Sequence, residues 1–299
     1  MTLSKKMINA QVIDNNADLF RCPICLSEMT MVDASRLVCA NNHSFDLSKN
    51  GYLNLAPQAH MTKYDQSLFG ARKIVMTSGF FDGVLASVIK TVQKQEHTVI
   101  LDAGCGEGSH LSEIVKRLAG DVTGVGIDLA KEGITAAAKE YPGLMWSVAD
   151  LANCPFQDDK IDVILNILSP ANYAEFSRLL KPGGLFVKAV PESGYLKELR
   201  AIFYEDKGQK DDADPVARVA EHFDAVSTER ITYIFPLADG LLAPLIQMTP
   251  LTWGASADKI EEALRMVIPE ITIDFTIISG VNRVSHGGYQ PWFSGSEKC

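Results

Sequence analysis

The chain has 299 residues, 46% of them apolar, with six cysteines and a formal net charge of −9. That length supports one large domain with an appendage, or two domains, and without any run of 18 apolar residues no membrane-spanning helix is expected. The charge is uneven: residues 1–90 carry nine basic and seven acidic side chains and residues 91–299 a net of −11, so a polyanion is expected to be held by the amino-terminal part.

The first twenty residues lack the apolar stretch and small-residue cleavage site of a secretory signal. Six cysteines in a chain this long are not a disulfide scaffold, and a cytoplasmic, reducing setting is expected. Cys22, Cys25, Cys39 and His43 follow the spacing C-x2-C-x13-C-x3-H. Two such pairs, separated by a loop long enough for a hairpin, match a tetrahedral structural zinc. RCPICLSEM reads as a knuckle turn, and CANNHSF places two asparagines at turn positions. Four protein ligands leave no open coordination position, so the metal is structural and supplies much of the folding free energy of a module spanning 1–60. FDLSKNGYLNLAP (45–57) sets aromatics beside Lys49 and Asn54. It reads either as a base-stacking, phosphate-contacting surface or as a packing seam. His60, in a polar linker with no paired ligand, reads as solvated. Residues 61–95 form a linker and a helical stretch broken at Ser78-Gly79, where Arg72 and Lys73 face either substrate phosphate or solvent.

The run VILDAGCGEG (99–108) comes next: apolar residues, then Asp102, then Gly104, Gly106 and Gly108, with a helical pattern opening at Ser109. A buried strand ending in a glycine turn at a helix start is how an α/β sheet builds a nucleotide site. The spacing is G-x-G-x-G with an acid two residues ahead, which departs from the dinucleotide fingerprint. VTGVGID (122–128) reads as a second strand ending in Asp128, 24 residues beyond Gly104, where a ribose diol is gripped. LMWSVAD (144–150) is a third, ending in Asp150. This set resembles motif I and its partners in the class I S-adenosylmethionine (SAM) methyltransferases. In them the first acid faces the cofactor's ammonium group and the third accepts from the adenine amino group.

Beyond it, helices at 109–119, 131–141, 171–180 and 195–206 alternate with strands at 161–168 and 184–190. KPGG (181–184) reads as a helix stop and turn. ITYIFPL (231–237) and ITIDFTII (271–278) read as the last strands, with helices near 238–248 and 257–268. The rhythm specifies an α/β doubly wound, mostly parallel sheet; with the resemblance it implies a class I SAM methyltransferase, Rossmann-like and seven-stranded over 96–285, with a small N-terminal zinc-binding domain and a loose tail at 286–299. DVILNILSP (162–170) is not the Asn-Pro-Pro-Tyr of enzymes that alkylate an exocyclic amine, and no Pro-Cys nucleophile exists; Cys154-Pro155 reads as structural. What remains suits a ring-nitrogen or oxygen acceptor, with alignment and desolvation as the main catalytic devices.

The knuckle, KNGYLNL, DAGCGEG, SPANYAEFSRLLKPGG and MTPLTW (248–253) occur in one order. Together they resemble the bacterial 23S rRNA (guanine-N1)-methyltransferases, which act on a guanine in hairpin 35. The resemblance covers roughly residues 20–285. It implies zinc on Cys22, Cys25, Cys39 and His43, and SAM on Asp102, Gly104, Gly106, Gly108, Asp128, Asp150 and Leu151. The target pocket falls near Ser169, Pro170, Met248, Thr249 and Trp253, with Arg72 as a further substrate contact; Trp253 suits stacking on an extruded base. A base for the guanine N1 proton is not marked: Glu192 and Ser169 are candidates, and bulk water is the rival. Family enzymes divide between nucleotides 745 and 748; overall similarity favours 748, which implies a link to macrolide resistance. Relatives imply a homodimer with 23S rRNA as partner. Two alternatives stay open, a SAM methyltransferase on a small molecule or another RNA, and a zinc-dependent RNA-binding module without catalysis. Cys39→Ser is expected to unfold the knuckle and abolish RNA methylation while leaving SAM binding largely intact.

Overall fold

The computed structural model describes residues 3–56, 65–92, 98–204 and 214–283. His60, the tail at 286–299 and the expected boundaries near 60, 95 and 285 lie outside the described residues. Among those described, no single helix is long and apolar enough to cross a membrane.

The chain opens with a helix that the sequence pattern does not show, α1 (Lys5–Asn15). It has almost no apolar periodicity, and polar anchors hold it instead. The Ser4 hydroxyl accepts from the Met7 amide, and the fully buried Asn9 donates to the Gly51 carbonyl (3.2 Å) and accepts from the Gly143 amide (3.0 Å). An antiparallel meander follows, β1 (Met29–Val32), β2 (Arg36–Cys39) and β3 (Ser44–Asp46), then the two-residue β4 (Leu53–Asn54). The helical stretch over the linker is two helices, α2 (Gln66–Thr77) and α3 (Asp82–Val92), parted at Ser78-Gly79 as the sequence predicts.

The following domain alternates β5 (Thr98–Ala103), α4 (Ser109–Arg117), β6 (Val122–Asp128), α5 (Lys131–Glu140), β7 (Met145–Val148), β8 (Ile161–Ile167), α6 (Tyr173–Leu179) and β9 (Leu180–Pro191). It continues with α7 (Lys197–Phe203), α8 (Pro215–His222), β10 (Phe223–Pro236), α9 (Leu242–Met248), α10 (Ala257–Arg265) and β11 (Glu270–Asn282). The sheet order is β10-β11-β9-β8-β5-β6-β7-β4, parallel except where β11 meets β9 and β10. The seven expected strands are present, and the amino-terminal segment adds an eighth: β4 pairs in parallel with β7, Leu53 opposite Ser147 and Asn54 opposite Val148. KPGG is not a turn ahead of β9 but an irregularity inside it, where the register against β8 slips between Ile161/Leu180 and Val163/Leu185. β10 starts eight residues before the expected 231, because its solvent-facing polar residues mask the alternation of an edge strand.

The metal module has no core of its own. Leu19, Phe20, Leu37, Leu47, Leu53 and Leu55 are buried in the same apolar cluster as Leu101, Val125, Ile127, Met145 and Phe156 of the catalytic sheet. The rings of Phe20 and Phe156 lie 5.3 Å apart. Main-chain bonds stitch the seam: Arg21 N–H to Pro155 O (3.1 Å), Gln157 N–H to Leu19 O (2.8 Å) and Leu55 N–H to Val148 O (2.9 Å). Leu47, Tyr52, Leu53 and Leu55 are buried, so of the two readings of 45–57 the packing seam accounts for its apolar residues.

Phe156→Ala should therefore lower the unfolding free energy by about 3–5 kcal/mol, the usual cost of emptying a buried aromatic site. Urea denaturation followed by Trp146 fluorescence and by cysteine-thiol accessibility checks this. The two signals should shift together, and a shift in only one would mean separate cores.

Candidate cofactor cleft and metal centre

The two knuckles are built from local backbone geometry. Cys22 N–H donates to Ser27 O (2.8 Å) and Leu26 N–H returns to Cys22 O (2.8 Å), while Cys39 N–H donates to His43 O (3.0 Å). Leu26 and Asn42 take the left-handed conformation (both φ 62°) that tight turns of this kind require. The four ligand atoms converge. Cys25 Sγ and Cys39 Sγ are 3.6 Å apart, and His43 Nδ1 is 3.5, 3.3 and 3.5 Å from the sulfurs of Cys22, Cys25 and Cys39. A tetrahedral zinc with bonds of about 2.1–2.3 Å has edges of roughly 3.5–3.8 Å, so the cage fits the ion. The Ser27 hydroxyl, then the Asn41 side chain, pull the Cys25 thiol down to about 5, which favours the thiolate that a metal binds.

On the sheet's carboxyl edge, the glycine turn after β5 is wedged between two neighbours. The amides of Gly104 and Cys105 donate to Ile127 O (2.9 and 3.0 Å), tying the turn to β6. Gly104 has φ 87°, and a Cβ there would fall 1.9 Å from Ser169 Oγ, so the turn after β8 presses directly on it. Gly106 (φ 57°) faces α2, with a hypothetical Cβ 2.9 Å from Arg72 Nη1. Only glycine combines this backbone with this closeness. Gly108 precedes α4 as its left-handed N-cap. Asp128 closes the loop: one carboxylate oxygen accepts from Gly106 N–H (2.9 Å), the other from Ala130 N–H (2.8 Å). Each oxygen keeps a lone pair for a diol. Asp150 lies two residues past β7 and accepts from Ala152 N–H (2.8 Å), with Leu151 beside it.

The electrostatics of this edge are lopsided. Asp102, Glu107 and Asp128 surround the turn, and Arg72 is the cation among them, its Nε 3.5 Å from Glu107 Oε2. Burial, opposed by Arg72 and reinforced by Asp128 and Glu107, pushes Asp102 up to about 7. Burial and Arg72 push the neighbouring His110 down to about 3, so its imidazole, edge-on to Phe81 at 5.2 Å, is neutral. A dry pocket with surplus negative charge favours a ligand carrying cations and disfavours a pyrophosphate.

The target-side residues divide. Ser169 presses on Gly104, with Pro170 next to it. Met248 ends α9, which packs on α2, and Thr249 and Trp253 lie on the turn after it. Thr249 caps that turn through its hydroxyl, which accepts from Leu251 N–H (3.4 Å), and Trp253 is 45% exposed. The Glu192 carboxylate is committed to Thr276 Oγ1 on β11 (2.5 Å). Cys154 is buried, its thiol pushed up chiefly by desolvation, as befits a structural residue. Sequence reasoning missed Glu107, Asn166 and Lys188. A lysine inside the apolar run Leu185–Val190 was the available signal for the last.

Residues 100–184 match the family model of a methyltransferase domain, and residues 20–62 match the zinc-ribbon model described as RlmA, N-terminal. The putative 23S rRNA (guanine-N(1)-)-methyltransferase YxjB of Bacillus subtilis is 40% identical over 275 residues, covering 88% of this chain and 97% of that protein. The chain belongs to the 23S rRNA (guanine-N1)-methyltransferase family. The 23S rRNA (guanine(748)-N(1))-methyltransferase of Streptomyces fradiae is 27% identical, covering 86% of this chain and 94% of its own. A putative 23S rRNA (guanine-N(1)-)-methyltransferase of Micromonospora griseorubida is 25% identical, covering 85% and 93%. The chain is thus an α/β SAM-dependent methyltransferase with an amino-terminal zinc-binding module.

The seam changes the expectation for Cys39→Ser. The segment 150–157 that carries Asp150 and Leu151 is bonded to Leu19 and Arg21, next to the ligand Cys22. Loss of the metal should therefore weaken SAM binding, by about tenfold or more, as well as remove RNA methylation. Calorimetry of Cys39→Ser or of chelator-stripped protein checks this, and an unchanged SAM affinity would mean that the module is energetically independent.

Proposed function

We propose that this chain transfers the methyl group of SAM to N1 of a guanine in hairpin 35 of 23S rRNA, at nucleotide 748 rather than 745. The observation that carries the reading is the pairing, within one apolar core, of a four-ligand metal cage with an acid-lined glycine turn. The name of the Streptomyces fradiae relative, which specifies guanine 748, supports the position. Methylation at 748 would link the protein to macrolide resistance. The setting we propose is the cytoplasm, with 23S rRNA as partner and a homodimer as the working assembly.

In this reading Asp102 holds the cofactor's ammonium, the Gly104–Gly108 turn supports its methionine end, and Asp128 grips the ribose diol with its two remaining lone pairs. Asp150 accepts from the adenine amino group, with Leu151 packing beneath the ring. Arg72, clamped beside Gly106, faces the cofactor's carboxylate instead of RNA phosphate. The bound cofactor supplies an electrophilic methyl group on a sulfonium. The demethylated product lacks that positive charge, so an anionic cleft discriminates against it. Ser169 and Pro170 form the floor on which the target base lies, and Trp253, with Met248 and Thr249 behind it, offers a stacking face. No carboxylate is assigned as base; Glu192 is turned to β11, and solvent takes the N1 proton.

The test is mass mapping of the hairpin 35 fragment after incubation of unmodified 23S rRNA with SAM and the protein. A methylated guanine at 748 that halts reverse transcriptase is expected; methylation elsewhere, or readthrough, overturns the assignment. The cofactor assignment has its own check. Because Asp102 ionises only above about pH 7 in the free protein, SAM affinity should fall as pH drops below that value, approaching tenfold per pH unit. Calorimetric titration between about pH 5.5 and 8 reads this, and Asp102→Asn should abolish the pH dependence and bind more weakly throughout.

A further inference from the structure

Lys188 is the buried charged group that this site leaves unused. It lies in β9 inside an otherwise apolar run, and the residue is 8% exposed. Its ammonium donates to Oδ1 of Asn166, its register partner on β8, and to the Ser169 carbonyl at 3.0 Å. Asn166 completes the link through Nδ2, which donates to the carbonyls of Ala103 (3.1 Å) and Pro170 (2.9 Å). One lysine thus fastens the turn 168–170, entered through a left-handed Leu168 (φ 55°), to the ends of β5 and β8. Ser169 is the residue pressed against Gly104, so the clamp ends at the corner where cofactor and target meet.

Both acceptors are neutral oxygens, and burial alone lowers the lysine from 10.5 to about 8. The helices over this face carry Tyr173, Glu175 and Arg178 on α6 and Arg218, Glu221 and His222 on α8; Glu175 is paired with Arg178 and accepts from the Cys154 amide, and Tyr173 lies against Phe186 and His222. Asp162 and Lys181, at the opposite end of β8 and β9, pair with each other at 2.7 Å. From β11 the register partner is Ile278. The positive charge under the turn is therefore uncompensated among the described residues.

We propose that Lys188 is a positioning residue for methyl transfer, holding the Ser169–Pro170 turn against Gly104 and placing a cation beneath the target base that favours its N1-deprotonated form. This rests on the guanine-N1 reading. In the step itself the N1 proton passes to solvent water and the N1 electron pair forms the bond to the methyl carbon. The methyl–sulfur bond breaks with its pair going to sulfur. Negative charge left on N1 and O6 of the deprotonated base is stabilised by a nearby buried cation because the surroundings screen poorly. The lysine carries its charge at pH 7 and loses it as pH rises through about 8.

The test uses the full-length, zinc-loaded protein and its Lys188→Met and Lys188→Arg variants. Single-turnover methylation of hairpin 35 RNA is measured from about pH 6 to about pH 9, with SAM affinity followed by calorimetry. Lys188→Met should slow transfer about tenfold or more at pH 7 and leave SAM affinity within about twofold. Its deficit should shrink above pH 8, where the wild-type lysine is itself neutral. Lys188→Arg should recover most of the rate and lose the decline at high pH. A deficit equal at every pH, or a parallel fall in SAM affinity, would make Lys188 merely structural and overturn the proposal. If Lys188→Met fails to fold, the arginine variant decides alone: a persisting decline above pH 8 overturns it. Should mapping place the wild-type methyl group on an atom other than guanine N1, the guanine-N1 reading falls by itself. The pH dependence of the ratio between wild type and variant still judges the lysine, and a flat ratio overturns its role.

Discussion

Everything at the sheet's carboxyl edge depends on one seam, the packing of Phe20 against Phe156 with the main-chain bonds around it. A module of this size cannot bury enough apolar surface to fold unaided. It solves that deficit twice, with a four-ligand cage and by lending its leucines to the core of the catalytic sheet. The second solution has a mechanical consequence. β4 extends the sheet beyond β7, and the Leu19–Arg21 segment pins the loop that follows β7. The end of the cleft at Asp150 and Leu151 is thus shaped partly by residues that flank Cys22.

The opposite side of the cleft is governed by charge. Three acids and one arginine crowd the glycine turn, and only a ligand bearing positive charge relieves the crowding. Such an arrangement costs stability in the free protein, since Asp102 must ionise in a dry site, and that cost is recovered when a cation arrives. The glycines take part in this economy through geometry. They allow Ser169 to approach the turn at Gly104 and Arg72 to approach it at Gly106, two residues apart.

Much of this was legible in the sequence. The metal ligands announce themselves by spacing, and the strands at 98–103, 122–128 and 145–148 are marked by Asp102, Asp128 and Asp150 at or just past their ends. What escaped was structure held by polar anchors or by distant partners. α1 is fixed by Asn9, which has no periodic signal, and β4 is a strand only because β7 lies beside it. The polar outer face of β10 hides its alternation, and the role of KPGG depends on a register slip that no local pattern encodes. Glu107 and Lys188 were visible as charges in buried company, but their partners, Arg72 and Asn166, are 35 and 22 residues away.

The charge asymmetry takes a different meaning once the ion pairs are known. Four of the basic residues within 1–90 are spent on carboxylates of the acidic catalytic domain: Arg21 on Asp158 and Glu175, Arg72 on Glu107, Lys73 on Glu140 and Lys90 on Glu229. Of these pairs only Arg21 with Asp158 and Glu175 lies at the seam and complements its apolar packing; the others tie α2 and α3 to the sheet domain. Lys6, Arg36 and Lys49 have no carboxylate within ion-pair distance among the described residues. Lys5, which donates to the Lys139 carbonyl, also has no carboxylate partner among them, so these four cations remain to meet a polyanion. In the proposed reading, discrimination falls to shape and stacking, for which the knuckle presents Ile24 and Leu26 and the turn after α9 presents Trp253, all about half exposed. A hairpin loop with unstacked bases satisfies that surface better than a regular duplex does, because only the former offers faces to apolar and aromatic side chains.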